Sequence, residues 1–289
     1  MSYRFLHTDR DGAVEHVTLN RPAIRNAIND EVVAELHTWA LRATTSAGLR
    51  AVVLAGAGPI FCAGADVAWM QRTLTYTEED NLRDARALAE MLEALNTLPL
   101  PVIARVQGAA LGGGAGLAAI ADIVVAADDA LFGFTETRLG ILPATIAPYV
   151  IAKIGATQAR RWFLTGQRFD AAAAHAMGLV HRVVPAADLD RAVVEEVAQI
   201  LAAAPGAIAQ AKALIASVAG RPMQDVKELT AQAIASQRVS PEGQEGLRAF
   251  LEKREPGWIV EGSRGQGVKG SRGQGVKGSR DRGIKGSRD

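Results

Sequence analysis

Hydrophobic positions fall into short runs separated by Gly, Pro and polar punctuation. Val14–Leu19 alternates apolar and polar residues, the period of a half-buried strand, and stops at Asn20-Arg21-Pro22. Asn29-Asp30 then offers an N-cap ahead of Val33, Leu36, Trp39 and Ala40 at helical spacing, which predicts an amphipathic helix. Residues 51–54 are continuously apolar, as in a strand buried on both faces of a parallel sheet. Residues 78–98 predict a long helix, and Pro99 and Pro101 punctuate the next strand, which runs to Val106. Another strand is predicted at Ile123–Ala127. This alternation predicts an α/β fold with crossover helices. From Ala186 onward the pattern is helical, broken at Pro205, Gly220-Arg221-Pro222 and Ser240-Pro241. That region carries too much apolar face for an isolated appendage, so it is expected to pack on the sheet or on another subunit.

Two Gly-rich loops follow buried strands. Gly112-Gly113-Gly114 comes after the strand at 101–106 and opens an Ala/Leu-rich helix. Its N–H groups are unobstructed at the positive end of the helix dipole, where a small anion can sit. Phe61-Cys62-Ala63-Gly64-Ala65-Asp66-Val67 follows the strand at 51–54, and small residues there let a ligand approach the Ala65 N–H. Together the loops can place two N–H donors around one oxygen, as a carbonyl that becomes an enolate requires. Glu136 is a lone carboxylate in an apolar stretch, and Phe132, Phe134 and Leu139 are expected to keep its proton transferable near neutral pH. The plainer readings are a structural ion pair of Glu136 with Arg138 or Arg160, an N-cap role for Asp66, and a solvated charge at Arg25.

Composition narrows the classes. The chain has 289 residues and is 48% hydrophobic, enough for a substantial core. Residues 262–289 repeat an eight-residue Gly/Ser-rich unit with eight basic and two acidic residues, a charge of +6. The formal +1 therefore hides 24 basic and 29 acidic residues in 1–261, a charge of −5. The tail has almost nothing to bury and reads as disordered. Nucleic-acid binding through it is a remote alternative, since no aromatic residue is present to stack on bases. The one cysteine, Cys62, excludes an internal disulfide and reads as a small hydrophobe. The five histidines lack metal spacing, so no metal site is expected. Without a secretory signal or an apolar run of roughly 18 residues, the expected location is cytoplasmic, away from the membrane. Gly114-Ala115-Gly116-Leu117-Ala118-Ala119 mimics a dinucleotide fingerprint, but Glu136 falls too far beyond the next strand to supply its acid.

Four motifs in order make the chain resemble the crotonase (enoyl-CoA hydratase/isomerase) superfamily. They are Asn20-Arg21-Pro22 with Arg25-Asn26-Ala27, Phe61 to Asp66, Gly108 to Gly114, and Glu136-Thr137-Arg138-Leu139-Gly140. The resemblance covers about residues 1–258 and includes the ending Glu245 to Arg254. It implies an α/β, crotonase-type spiral of ββα repeats with a helical C-terminal region. The organisation expected is a core at 1–200, a helical packing and trimerisation region at 201–261, and the tail at 262–289. It also implies a homotrimer or homohexamer acting on an acyl-CoA, with no cofactor beyond the coenzyme A of the substrate. Ala65 and Gly113 match the oxyanion-hole residues, and Glu136 matches the second of two catalytic glutamates. Arg25 matches a position near the CoA phosphates, and Ala63 and Asp66 lie in the adenine loop. Lys212, Phe250 and Lys253 match positions that enclose CoA, while Ala27, Val67 and Gly112 complete the expected substrate contacts.

One departure matters. The first catalytic glutamate of two-glutamate hydratases falls at Gly116 here; in a hydratase the space beside it is expected to admit a carboxylate aimed at the same water as Glu136, and in an isomerase to hold acyl chain. The segment from Glu136 to Pro148 is most similar to hydratases of branched-chain and terpenoid breakdown, which act on 3-methylglutaconyl-CoA and related thioesters. The implied activity is hydration of the C2=C3 bond of an enoyl-CoA. The alternative is a Δ3,Δ2-enoyl-CoA isomerase, which needs only one acid/base.

Overall fold

The computed structural model describes residues 3–259, so the repeat tail lies outside the described residues. β1 (Leu6–Asp11) and β2 (Val14–Leu19) form an antiparallel hairpin, and α1 (Asp30–Thr44) follows. α1 starts where expected because the Asn29 side chain accepts from Val32 N–H at 3.0 Å. Next come β3 (Ala51–Gly56), α2 (Val67–Thr73), α3 (Glu78–Asn96) and β4 (Val102–Val106). β5 (Ala109–Leu111) leads into α4 (Gly113–Ile120), and β6 (Ile123–Ala127) into β7 (Leu131–Gly133). A short 3-10 turn, Glu136–Leu139, precedes α5 (Ala147–Thr165), β8 (Arg168–Asp170), α6 (Ala171–Ala176) and β9 (Arg182–Val184).

The larger sheet has the order β1-β2-β3-β4-β6-β9, parallel from β2 onward. A smaller sheet, β5-β7-β8, lies beside it. Each turn of the chain puts one strand in the large sheet, one in the small sheet and then a helix, as in β4–β5–α4 and β6–β7–α5. The turn starting at β3 reaches the small sheet only as an isolated bridge, Cys62 to Ala110. α1 packs on α3, and Leu36 and Trp39 of the one and Met91, Leu92 and Leu95 of the other are buried in the same core. Fully burying such a side chain stabilises by about 1.5–3 kcal/mol. α4 is buried from Gly114 through Ile120, so apolar residues on every side suit it to the centre of the molecule.

The C-terminal helices divide. α7 (Leu189–Ala202) buries Leu189, Ala192, Val193 and Ile200 against the large sheet. α8 (Pro205–Val218) and α9 (Met223–Val239) bury no residue, and α10 (Pro241–Glu252) buries only Ala249. The expected packing on the sheet therefore holds for α7, while α8, α9 and α10 pack chiefly on one another. Arg50 joins the two parts, donating to Trp258 O at 2.9 Å, Leu201 O at 2.8 Å and Ala203 O at 2.6 Å.

Candidate active site

Three backbone segments are laced together at the C-terminal ends of β3 and β4. Ala63 N–H donates to Arg25 O at 3.0 Å, Ile28 N–H to Gly64 O at 2.8 Å, and Asp66 N–H to Ile28 O at 2.8 Å. Cys62 N–H donates to Ala109 O and Leu111 N–H to Cys62 O, both at 3.0 Å. Ile28 and Ala65 thus form a parallel bridge in which Gly64 and Asp66 bond toward Ile28. Alternation along an extended backbone turns the Ala65 N–H to the opposite side. Ala65 is exposed and Gly113 half-buried. Among the described residues, neither N–H has an intramolecular acceptor. A β-carbon on Gly64 would lie 2.9 Å from Leu111 O and 3.9 Å from Gly112 Cα, so the two glycine loops are in direct contact. Two unspent donors on adjacent loops are what an oxyanion hole requires.

Glu136 stands beside this pair. A β-carbon on Gly112 would be 3.2 Å from Glu136 Oε1. Among the described residues, Glu136 Oε2 is buried and accepts no hydrogen bond, and no arginine pairs with the carboxylate. Burial pushes its pKa above the ordinary glutamate value, opposed only by a backbone hydrogen bond. The ion-pair reading with Arg138 or Arg160 is thereby excluded. Phe134, edge-on to Phe163 at 5.0 Å, and Phe132, stacked on Phe169 at 6.0 Å, form the solid core behind the segment. Leu139 is 63% exposed and does not shield the carboxylate, because the 3-10 turn carries it outward.

Several residues expected at the site do other work. Asp66 caps α2 by accepting from Ala68 N–H at 2.7 Å and pairs with Arg21 Nη2 at 2.7 Å, with both side chains largely buried. Burial alone would raise its pKa, but the bonds from Arg21 and Ala68 outweigh that and hold it below the ordinary range. Ala27 is buried, and its carbonyl accepts from Arg21 Nη1 at 2.6 Å. Lys212 donates to Asp122 at 2.7 Å and Leu100 O at 3.1 Å, at the opposite end of the sheet from the glycine loops. Phe250 lies on α10, 81% exposed, and Lys253 ends that helix; within the chain α10 packs on α8 and α9. Arg25, Ala63 and Val67 remain at the rim, with Arg25 and Val67 exposed. Gly112 gives its own N–H to Gly133 O at 2.8 Å, so its contribution is the absence of a side chain beside Glu136. Burial pushes the Cys62 thiol up to about 12, in keeping with a small hydrophobe.

Position 116 corrects the sequence expectation. Gly116 is buried, and a β-carbon there would lie 2.2 Å from Ile146 Cγ2. Ile146 fills the space beside Gly116 that a carboxylate or acyl chain is expected to occupy, so Gly116 contributes no catalytic group. Three contributors escaped sequence reasoning. Ile28 brackets Ala65 and puts its Cδ1 3.4 Å from a Gly113 β-carbon. Asn26 accepts from Arg21 N–H and donates to Ala57 O and Ile60 O, fixing the approach to the Cys62 loop. Ile146 covers Gly116. Only Asn26 had a local signal, within the Arg25-Asn26-Ala27 motif; the others depend on contacts that a single sequence does not display.

Residues 9–261 match the enoyl-CoA hydratase/isomerase family. AtuE of Pseudomonas aeruginosa is 39% identical, with a TM-score of 0.86 over 89% of this chain and 100% of its own. An enoyl-CoA hydratase from Shewanella pealeana is 37% identical, with a TM-score of 0.85 over 88% and 96%. An enoyl-CoA hydratase/isomerase from Marinobacter aquaeolei is 38% identical, with a TM-score of 0.84 over 89% and 99%. The chain therefore belongs to the enoyl-CoA hydratase/isomerase family and has the crotonase fold. Among the described residues, no group of three metal-ligating side chains is assembled and no single helix is long and apolar enough to cross a membrane.

Proposed function

We propose that the chain hydrates the C2=C3 bond of an enoyl-CoA thioester, with Glu136 as its only acid/base. The observation that carries this is the Glu136 carboxylate, whose Oε2 is buried and unbonded among the described residues, beside two backbone N–H groups that also lack an acceptor there. The thioester oxygen accepts from the Ala65 and Gly113 N–H groups, which draws electron density from C3. Ionised Glu136 takes a proton from water as the oxygen bonds to C3, and the enolate charge collects between the two donors. The same carboxyl then returns the proton to C2, so one group serves both half-steps. Arg25, Ala63 and Val67 at the rim are proposed to contact the CoA portion. Lys253 and Phe250 are proposed to do so through assembly as a homotrimer or hexamer, for which exposed Met223, Leu247 and Phe250 offer apolar surface. A cytoplasmic location belongs to the same reading.

The sequence resemblance favours a branched or carboxylated acyl group of the 3-methylglutaconyl type. Isomerisation of a 3-enoyl-CoA is the second reading, favoured by the absence of a glutamate at position 116. A panel of straight, branched and carboxylated enoyl-CoA thioesters, scored separately for hydration and double-bond migration, tests the choice. Hydration of at least one branched or carboxylated member, faster than crotonyl-CoA, is expected. Brisk isomerisation with no hydration of any member would overturn the hydratase reading.

A further inference from the structure

We propose that Gly116 and Ile146 form an interlocked pair that fixes the number of carboxylates in the site at one. Ile146 occupies the ground from which a side chain at 116 would reach Glu136. A β-carbon at 116 would meet Ile146 Cγ2 at 2.2 Å and Ile146 Cβ at 3.0 Å, where carbon atoms prefer about 3.5–4.0 Å. The obstacle does not swing aside. Ile146 is 2% exposed, it is β-branched, and its backbone leads straight into α5, accepting from Val150 N–H at 3.1 Å.

The direction of α4 gives the contact its chemical meaning. Gly116 N–H donates to Gly112 O at 3.0 Å, which places position 116 one helical turn, about 5.4 Å, beyond Gly112. Side chains on a helix lean toward its N-terminus, so one at 116 would lean back toward Gly112. Gly112 is the residue whose missing β-carbon borders Glu136 Oε1 at 3.2 Å. A carboxylate reaching back from 116 would therefore share the ground of Glu136, and two like charges there would drive their pKa values apart. Ile146 replaces that partner with an aliphatic wall, and among the described residues no second carboxylate adds to the effect of burial on Glu136.

Two cycles test the interlock, and melting separates it from the functional reading on which its catalytic meaning rests. Gly116→Ala, normally favourable inside a helix, is expected to lower Tm by about 5 °C through overpacking. Ile146→Ala is also expected to lower Tm by leaving a cavity, and the double variant should melt well above the sum of the two losses. Additive losses, or a Gly116→Ala protein that melts like wild type, would overturn the interlock whether or not any variant is active. The second cycle uses Gly116→Glu and Ile146→Gly. The folded double variant should show two ionisations on the acid limb of kcat/KM for crotonyl-CoA hydration, or of isomerisation if that is the activity found. A single ionisation in that double variant would overturn the claim that Ile146 sets the carboxylate count.

Discussion

Glu136→Gln is expected to reduce kcat by about 10²–10⁴-fold on the substrate the enzyme turns over best. Glutamine keeps the shape and can still hold water, but it cannot take or return a proton. Loss of fold would mimic this result, and a second readout separates the two. The pKa of Glu136 is raised in the folded protein, so the folded state favours the protonated carboxyl. Its contribution to stability is fully present below the ordinary glutamate value and is lost as pH rises through the higher folded value. The neutral amide escapes that loss. Glu136→Gln should therefore melt higher than wild type at pH 8 and equally at pH 4. An inactive variant that is also the more stable one marks a group whose strain serves chemistry. Turnover within a few-fold of wild type would remove Glu136 from the mechanism.

Gly112→Ala is expected to be nearly as damaging, although it adds one methyl group and no charge. Gly112 has φ 50° and ψ −121°, a conformation that costs a residue with a β-carbon about 1–3 kcal/mol. Relaxing ψ at 112 rotates the peptide that carries the Gly113 N–H, the proposed oxyanion donor. The new β-carbon also stands 3.2 Å from Glu136 Oε1. Loss of one oxyanion donor typically costs on the order of 10²–10³ in kcat. Gly113→Ala is the control, because its β-carbon would meet only Ile28 Cδ1 at 3.4 Å and its φ is not in the left-handed region. The milder loss should fall on Gly113→Ala. A Gly112→Ala enzyme with normal kcat would separate the glycine turn from catalysis.

Local chemistry made much of the fold legible. The alternation at Val14–Leu19, the apolar run at Ile123–Ala127 and the Asn29 cap each state their structure within a few residues, and the elements begin where those signals lie. The short strands β7, β8 and β9 carry no such pattern, because three residues are too few to show a period. Their pairing is decided by the sheet they join.

The site was legible in the same uneven way. Glycine runs after buried strands and an isolated carboxylate are local features, and they point to the segments that the fold draws together. Asp66 is ambiguous in the sequence because a carboxylate in a glycine loop suits a ligand as well as a helix cap; the structure shows the cap on Ala68 and the pairing with Arg21, 45 residues earlier. The pairing of Lys212 is hidden for a related reason, since its partner Asp122 lies 90 residues away on β6's approach. Gly116 reads as vacancy in a sequence, whereas in three dimensions Ile146 has already taken the room.

The central claim is that one carboxylate, Glu136, performs both proton transfers. The most direct test is the pH dependence of kcat/KM for the wild-type enzyme on its best enoyl-CoA. Ionised Glu136 must accept the first proton, so the rate should fall on the acid side with a limiting slope of one. The midpoint should lie above the ordinary glutamate value of about 4.3, because burial raises it. An acid limb of slope two, or one that persists unchanged in the residual activity of Glu136→Gln, would contradict the account.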